Sequence, residues 1–372
     1  MPACADECRL KHQRVTAYLD EHDLDAVVLT RRANFAWFTG GGLNHVNLGT
    51  EGGAVSLVIT RDRTVAVTNA IEAPRMTGEE LHELGIEVRS YAWHDGAAAA
   101  PVWREVLGSL RAACDGRVAG LPDTVATLKS DFDRLRWSLV EPEIGRLRAL
   151  ARETASVLEQ VCRQTRRGMT EFQLAARLSA SLLEREIRAP VLLIAADDRA
   201  RSYRHPIPTA TRFAKHGMAV IGGERGGLIA SCSRVFAFGP ISSDLRRRHE
   251  AVCNIDAVMI GQTRPGRTLG DIFELARKVY ADSGYPDEWQ YHHQGGPTGY
   301  TARDAKASPG NATKVLANQA FAWNPSIAGT KSEDTILVGP NANEILTATG
   351  QWPVSTYAGG GRNWDRCNIL SL

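Results

Sequence analysis

Disulfide scaffolding is not available to this chain. Its seven cysteines, Cys4, Cys8, Cys114, Cys162, Cys232, Cys253 and Cys367, are odd in number, scattered, and without a CxxC pair or a zinc-like spacing. They are expected to be reduced packing residues. Long apolar runs are missing too: no stretch of about 18 such residues occurs, so no membrane-spanning helix is expected. The first ten residues carry Asp6, Glu7 and Arg9 where a secretory leader would be apolar, and a cytoplasmic location follows as the expectation. Charge of one sign is scarce. With 44 basic against 42 acidic residues and no block of either, nothing is laid out to track a phosphate backbone, and nucleic acid is not an expected partner. The glycine-rich run 222–227 lacks the strand-to-helix setting and the lysine of a phosphate loop, so no nucleotide cofactor is implied.

What is present is a globular composition, 43% apolar and 23% charged, in 372 residues, more than one hydrophobic core ordinarily serves. Two domains are expected, 1–140 and 141–372. In the first, an amphipathic helix through Tyr18 and Leu19 precedes an apolar strand at 26–29. Strands at 54–59 and 64–67 flank a turn at Arg61-Asp62-Arg63, and 86–91 supplies another strand after a helix around Leu81. The second begins at Glu141-Pro142, where the pattern switches to a helical period through Ile144, Leu147, Ala151, Leu158 and Val161, closed by Gly168. Thr170-Glu171-Phe172-Gln173 is a capping box opening a further helix. Strands follow at 191–195, 218–221 and 228–238, with a turn across 222–227, then helices near 244–260 and 269–281 joined by Arg264-Pro265-Gly266. Helices covering one side of an antiparallel sheet is the economical arrangement.

Several segments, in this order, resemble the superfamily of creatinase, prolidase, aminopeptidase P and methionine aminopeptidase. They are residues 24–29 with 33–40, 143–150 with 167–171, Arg204-His205-Pro206, Ser233-Arg234-Val235-Phe236, Arg264-Pro265-Gly266, and Lys331-Ser332-Glu333-Asp334-Thr335. The resemblance implies a small creatinase-type α/β amino-terminal domain followed by an α+β pita-bread domain, a curved antiparallel sheet covered by helices. It also implies a homodimer acting on a small-molecule substrate.

Active peptidases of that superfamily hold two metal ions with two Asp, one His and two Glu, hard oxygen donors and an imidazole that fix an activated water. The matching positions here are Val220, Ser231, Gly296, Asn324 and Glu333, of which only Glu333 keeps its ligand. A slip of one residue does not help, because Ala219, Ile221, Ala230 and Cys232 are the neighbours. No metal and no cofactor is therefore expected.

His205 matches the substrate-facing histidine of the family, which in creatinase serves as general acid and base on a C–N bond; an imidazole titrates near neutrality and can pass a proton each way. Glu333 is read as orienting a water or holding a substrate cation, against an ion pair with Lys331. Asn324 offers an amide that donates and accepts. Ser231, Arg303 as a carboxylate clamp or a partner of Asp304, and His292 and His293 complete the substrate-binding set. Two adjacent histidines on a strand face opposite ways, so one alone, His293, is expected to enter. The expectation is a metal-independent, creatinase-like hydrolase of a small amino-acid-derived or guanidino-like substrate, with peptidase activity disfavoured. Alternatives are a lyase, decarboxylase or isomerase, a non-catalytic peptide-binding protein, and an Xaa-Pro aminopeptidase.

Overall fold

The computed structural model describes residues 5–372. Cys4 lies outside them. The chain divides into two compact units, Met1–Arg136 and Trp137–Leu372.

In the first unit, helix α1 (Ala5–Glu21) precedes β1 (Ala26–Arg31), whose burial is nearly continuous, as a strand covered on both faces requires. Helix α2 (Arg32–Thr39) ends at Gly40, which takes the left-handed conformation at φ 71° that a residue with a Cβ adopts at a cost. Strands β2 (Gly52–Thr60) and β3 (Thr64–Asn69) form the expected hairpin around Arg61–Arg63. β4 (Glu87–Tyr91), helix α3 (Ala99–Leu107), β5 (Ala112–Cys114) and β6 (Ala126–Thr127) complete a mixed six-stranded sheet of order β4-β3-β2-β1-β5-β6. Around Leu81, one π turn and one 3-10 turn stand where a regular helix was expected.

The second unit opens with α4 (Glu141–Arg163) and α5 (Glu171–Leu183), the latter begun by the capping box: the Gln173 N–H donates to Thr170 Oγ1 and the Thr170 N–H to Gln173 Oε1. Helix α4 stops before Gly168, which instead serves the following turn at φ 84°. Strands β7 (Arg188–Ala196), β8 (His216–Arg225) and β9 (Leu228–Ala237) pair antiparallel. The reversal occupies Gly226 and Gly227 alone, so Gly222 and Gly223 are strand residues rather than turn residues. Gly223 is needed for closeness, since a Cβ there would lie 2.4 Å from Thr154 Oγ1 on α4.

Helices α6 (Ser243–Gln262) and α7 (Leu269–Asp282) precede β10 (Gly295–Thr298), β11 (Ala320–Trp323), the short pair β12 (Ser326–Ile327) and β13 (Thr330–Lys331), β14 (Asp334–Leu337) and β15 (Glu344–Ile345). The order β10-β11-β14-β15 makes a second antiparallel sheet. After the hairpin of β16 (Val354–Gly359) and β17 (Arg362–Cys367), β18 (Leu370–Ser371) joins β9 in parallel. The core between α6, α7 and the second sheet gathers Ile255, Met259, Ile272, Phe273, Phe321, Trp323 and Ile336. This α/β unit followed by an α+β unit of helices over antiparallel sheets is the expected fold class.

Candidate functional site

Side chains alternate along a strand, so β9 sends Ser231 and Ser233 to one face and Arg234 to the other. The Ser233 N–H donates to the Glu333 carbonyl at 3.0 Å, and the Ser233 hydroxyl donates to Glu333 Oε2 at 2.5 Å. Arg303 Nη2 donates to Glu333 Oε1 at 2.9 Å, so both carboxylate oxygens are held. The ion-pair partner of Glu333 is thus Arg303, rather than Lys331, and Arg303 turns to Glu333 rather than to Asp304, whose Oδ1 accepts from the Thr301 hydroxyl. Ser231 is tied to β14 through its backbone and the Thr335 hydroxyl. It is Ser233 that reaches the carboxylate.

His205, His292 and His293 come together. The His205 and His292 Nε2 atoms are 3.0 Å apart, and the rings of His292 and His293 stack at 4.5 Å. Both neighbouring histidines enter because 292–293 is not a strand: the segment follows a 3-10 turn, Glu288–Tyr291, and precedes β10. The expectation that one alone would enter assumed pleated alternation. Tyr280 and the Trp289 carbonyl anchor the next residue, Gln294, which fixes the segment from behind. His205 is exposed, His293 half-buried and His292 buried, so the cluster opens to solvent at His205.

All three rings favour the neutral form. Burial lowers the His205 pKa, with Lys331 adding to the effect and Glu333 opposing it. Burial, with Lys331 next, depresses His292 strongly, and burial with Arg303 and Lys306 pushes His293 down to about 3. Lys331 is 2% exposed and makes no ion pair or hydrogen bond among the described residues; burial lowers its pKa while Glu333 raises it. Three polar atoms of the constellation are buried without a partner: His292 Nδ1, Arg303 Nε and Asn324 Oδ1. Sequence reasoning passed over Lys331 and Ser233. The available signal was alternation, since each stands two residues from a position already singled out.

The five positions matching the family's ligand set do not fit a dinuclear metal centre. Val220 packs in an apolar cluster with Met218, Val235 and Ala195. At Gly296 a Cβ would lie 2.2 Å from the Ala305 carbonyl oxygen, so no imidazole can be carried there. That leaves an amide, a hydroxyl and one carboxylate already engaged by Arg303. The three histidines offer ring nitrogens within 4.8 Å of one another, close enough to share an ion. However, His293 Nδ1 accepts from the Gly295 N–H at 3.2 Å, which puts the proton of the neutral ring on Nε2, the nitrogen that would ligate. Lys331, Arg303 and Lys306 further oppose a dication.

Comparison with known proteins places the geometry in context. Residues 145–340 match the Metallopeptidase family M24, and residues 11–150 match the Creatinase/Prolidase N-terminal domain. An uncharacterized peptidase of Staphylococcus aureus (strain MW2) is 22% identical over 222 residues, 58% of this chain and 63% of the relative, so the chain spans under two thirds of that relative's length. Among solved structures, an Xaa-Pro dipeptidase from Bacillus anthracis superposes with a TM-score of 0.77 at 17% identity, covering 98% of this chain and 100% of the other. The N-terminal domain of the FACT complex subunit SPT16 from chickpea, Cicer arietinum, superposes with a TM-score of 0.71 at 13% identity, covering 94% and 97%. The preference for a metal-independent creatinase-like hydrolase over a peptidase is corrected by these matches, whose curated relatives and solved neighbours are predominantly peptidases. The physical reason is that a count of lost ligands measures what a site can coordinate. It carries no information about which bond the substrate presents.

Proposed function

The chain belongs to the metallopeptidase family M24, and from that premise we propose that its second unit is a peptidase site for short peptides of the Xaa-Pro kind. The observation that carries this reading is the three-histidine cluster, buried at His292, open to solvent at His205 and set beside a tethered carboxylate, on a fold that Xaa-Pro dipeptidases share along nearly their whole length. His205 is the general acid/base. Its neutral ring takes a proton from the attacking water and returns it to the departing amine, and the Nε2 contact lets His292 support either protonation state. Glu333, fixed by Arg303 and Ser233, orients the water through its remaining lone pairs. Asn324, with a free Oδ1, accepts from a substrate N–H, and His293 and Ser231 line the site.

No helix of the described residues is long and apolar enough to cross a membrane. The described cysteines are all free, which supports a reducing, cytoplasmic setting. A homodimer completes the reading, to be checked by light scattering.

The test is hydrolysis of a panel of Xaa-Pro dipeptides by purified protein, with and without chelator or added manganese, zinc or cobalt. His205→Ala is expected to lower turnover by about 10²- to 10⁴-fold while leaving the circular dichroism spectrum unchanged. Binding of these peptides with no hydrolysis under any of the conditions would sink the enzymatic reading and favour the non-catalytic peptide-binding alternative.

A further inference from the structure

The disagreement between this site and its family's metal centre leaves a charge to explain. Two cations, Lys331 and Arg303, face a single carboxylate, Glu333, and Arg303 already neutralises it at 2.9 Å. Lys331 remains as an ammonium 2% exposed, on a strand whose backbone is fixed by the pairing of Ser326 with Lys331. An ammonium on a side chain so nearly desolvated, and without a partner in the free protein, is unfavourable, and an anionic ligand would supply the missing countercharge. The unpartnered Arg303 Nε adds a second unused donor of the same sign to the constellation.

We propose that this is an anion-binding site in which Lys331 holds a carboxylate of the ligand, the protein's own cation standing where relatives use metal charge. Chemistry favours a carboxylate over a larger anion. The donors are one ammonium and one guanidinium edge, a number that suits two oxygens, and the three neutral imidazoles add polar contacts without adding charge. The inference deepens the peptidase reading by naming the substrate group Lys331 receives, and it rests on that reading only for the choice of probe.

The experiment is equilibrium binding by titration calorimetry, which needs no turnover and so separates failure of this inference from failure of the peptidase reading. The probes are alanyl-proline, its C-terminal amide, succinate and inorganic phosphate. Wild-type protein is expected to bind the acid forms and to lose about 10- to 100-fold for the amide, the worth of a charge-assisted hydrogen bond. Lys331→Met should lose a similar factor for the acids and nothing for the amide, and Lys331→Arg should recover most of the loss. Equal affinity for acid and amide, undiminished binding by Lys331→Met, or failure to bind any carboxylate at millimolar concentration would each overturn the proposal. Lys331-dependent binding of phosphate with no carboxylate bound would overturn the assigned ligand class, and stoichiometric zinc held by the histidine cluster would overturn the charge argument itself.

Discussion

The two faces of one stretch of backbone carry opposite electrostatic solutions. On the helix side, Arg234 is buried between Glu159 at 2.9 Å and Asp334 at 3.0 Å, and Arg366 meets both Asp256 and Asp334 at 2.6 Å. On the site side, Ser233, Lys331 and Glu333 are the immediate sequence neighbours of Arg234, Thr330, Ser332 and Asp334. Each cation of the helix-side network has a carboxylate; the Asp334 pKa is raised by burial, yet Arg234 and Arg366 outweigh this and hold it below the usual range. The site side leaves one cation, Lys331, without a carboxylate of its own. The difference separates charges that complete a fold from charges that await a ligand.

The largest effect should come from breaking the matched side. Arg234→Met leaves Glu159 and Asp334 buried without their cation and is expected to cost about 3–5 kcal/mol in denaturant unfolding. The same exchange at Lys331, across the sheet, should leave stability unchanged or raise it, because it removes an ion with no partner. A loss of comparable size at both positions would erase the comparison.

Next in size is a pH effect centred on His249 of α6. It donates to the Cys367 carbonyl at 2.8 Å and meets the Thr330 hydroxyl at 2.6 Å, and burial pushes its pKa down to about 4 from the ordinary 6.5, with Arg366 adding and the Cys367 carbonyl opposing. A folded pKa below the unfolded one means the unfolded chain binds the proton first. The contribution is therefore fully present above about pH 6.5 and is lost as pH falls toward about 4, up to about 3 kcal/mol. His249→Gln should flatten the stability profile across that window relative to wild type. Identical slopes would remove His249 from the account.

A smaller loss of stability is expected at Ser233. Ser233→Ala removes the hydroxyl donor to the buried Glu333 carboxylate but leaves the backbone N–H bond to its carbonyl, so unfolding should change by about 2 kcal/mol, as for a hydrogen bond to a charged group. Activity on a dipeptide should fall more than that, through KM and kcat together, because Glu333 loses its orientation. A stability loss larger than the activity loss would place Ser233 with the structural face.

Much was legible along the chain. The period of 144–161 and the capping box at Thr170 mark helices α4 and α5 because side-chain spacing and orphan N–H groups are local facts. The absence of metal ligands at Val220 and Gly296 is likewise readable, since chemistry forbids those side chains to coordinate whatever the fold does. The misreadings had tertiary causes. Adjacent His292 and His293 entered together because they lie between a 3-10 turn and β10, outside any paired strand, with the next residue, Gln294, held against Tyr280. Glu333 took Arg303, thirty residues away, in preference to nearby Lys331, and Ser233 rather than Ser231 supplied its hydroxyl.

The sequence by itself determined which groups are available and where the helices begin, through residue chemistry and local periodicity. Which of those groups meet, and which cation is left without a partner, was decided by the packing of β9 against β13 and β14. Hydrogen bonds and charge pairing act over a few ångströms in space, and only the folded backbone sets those distances.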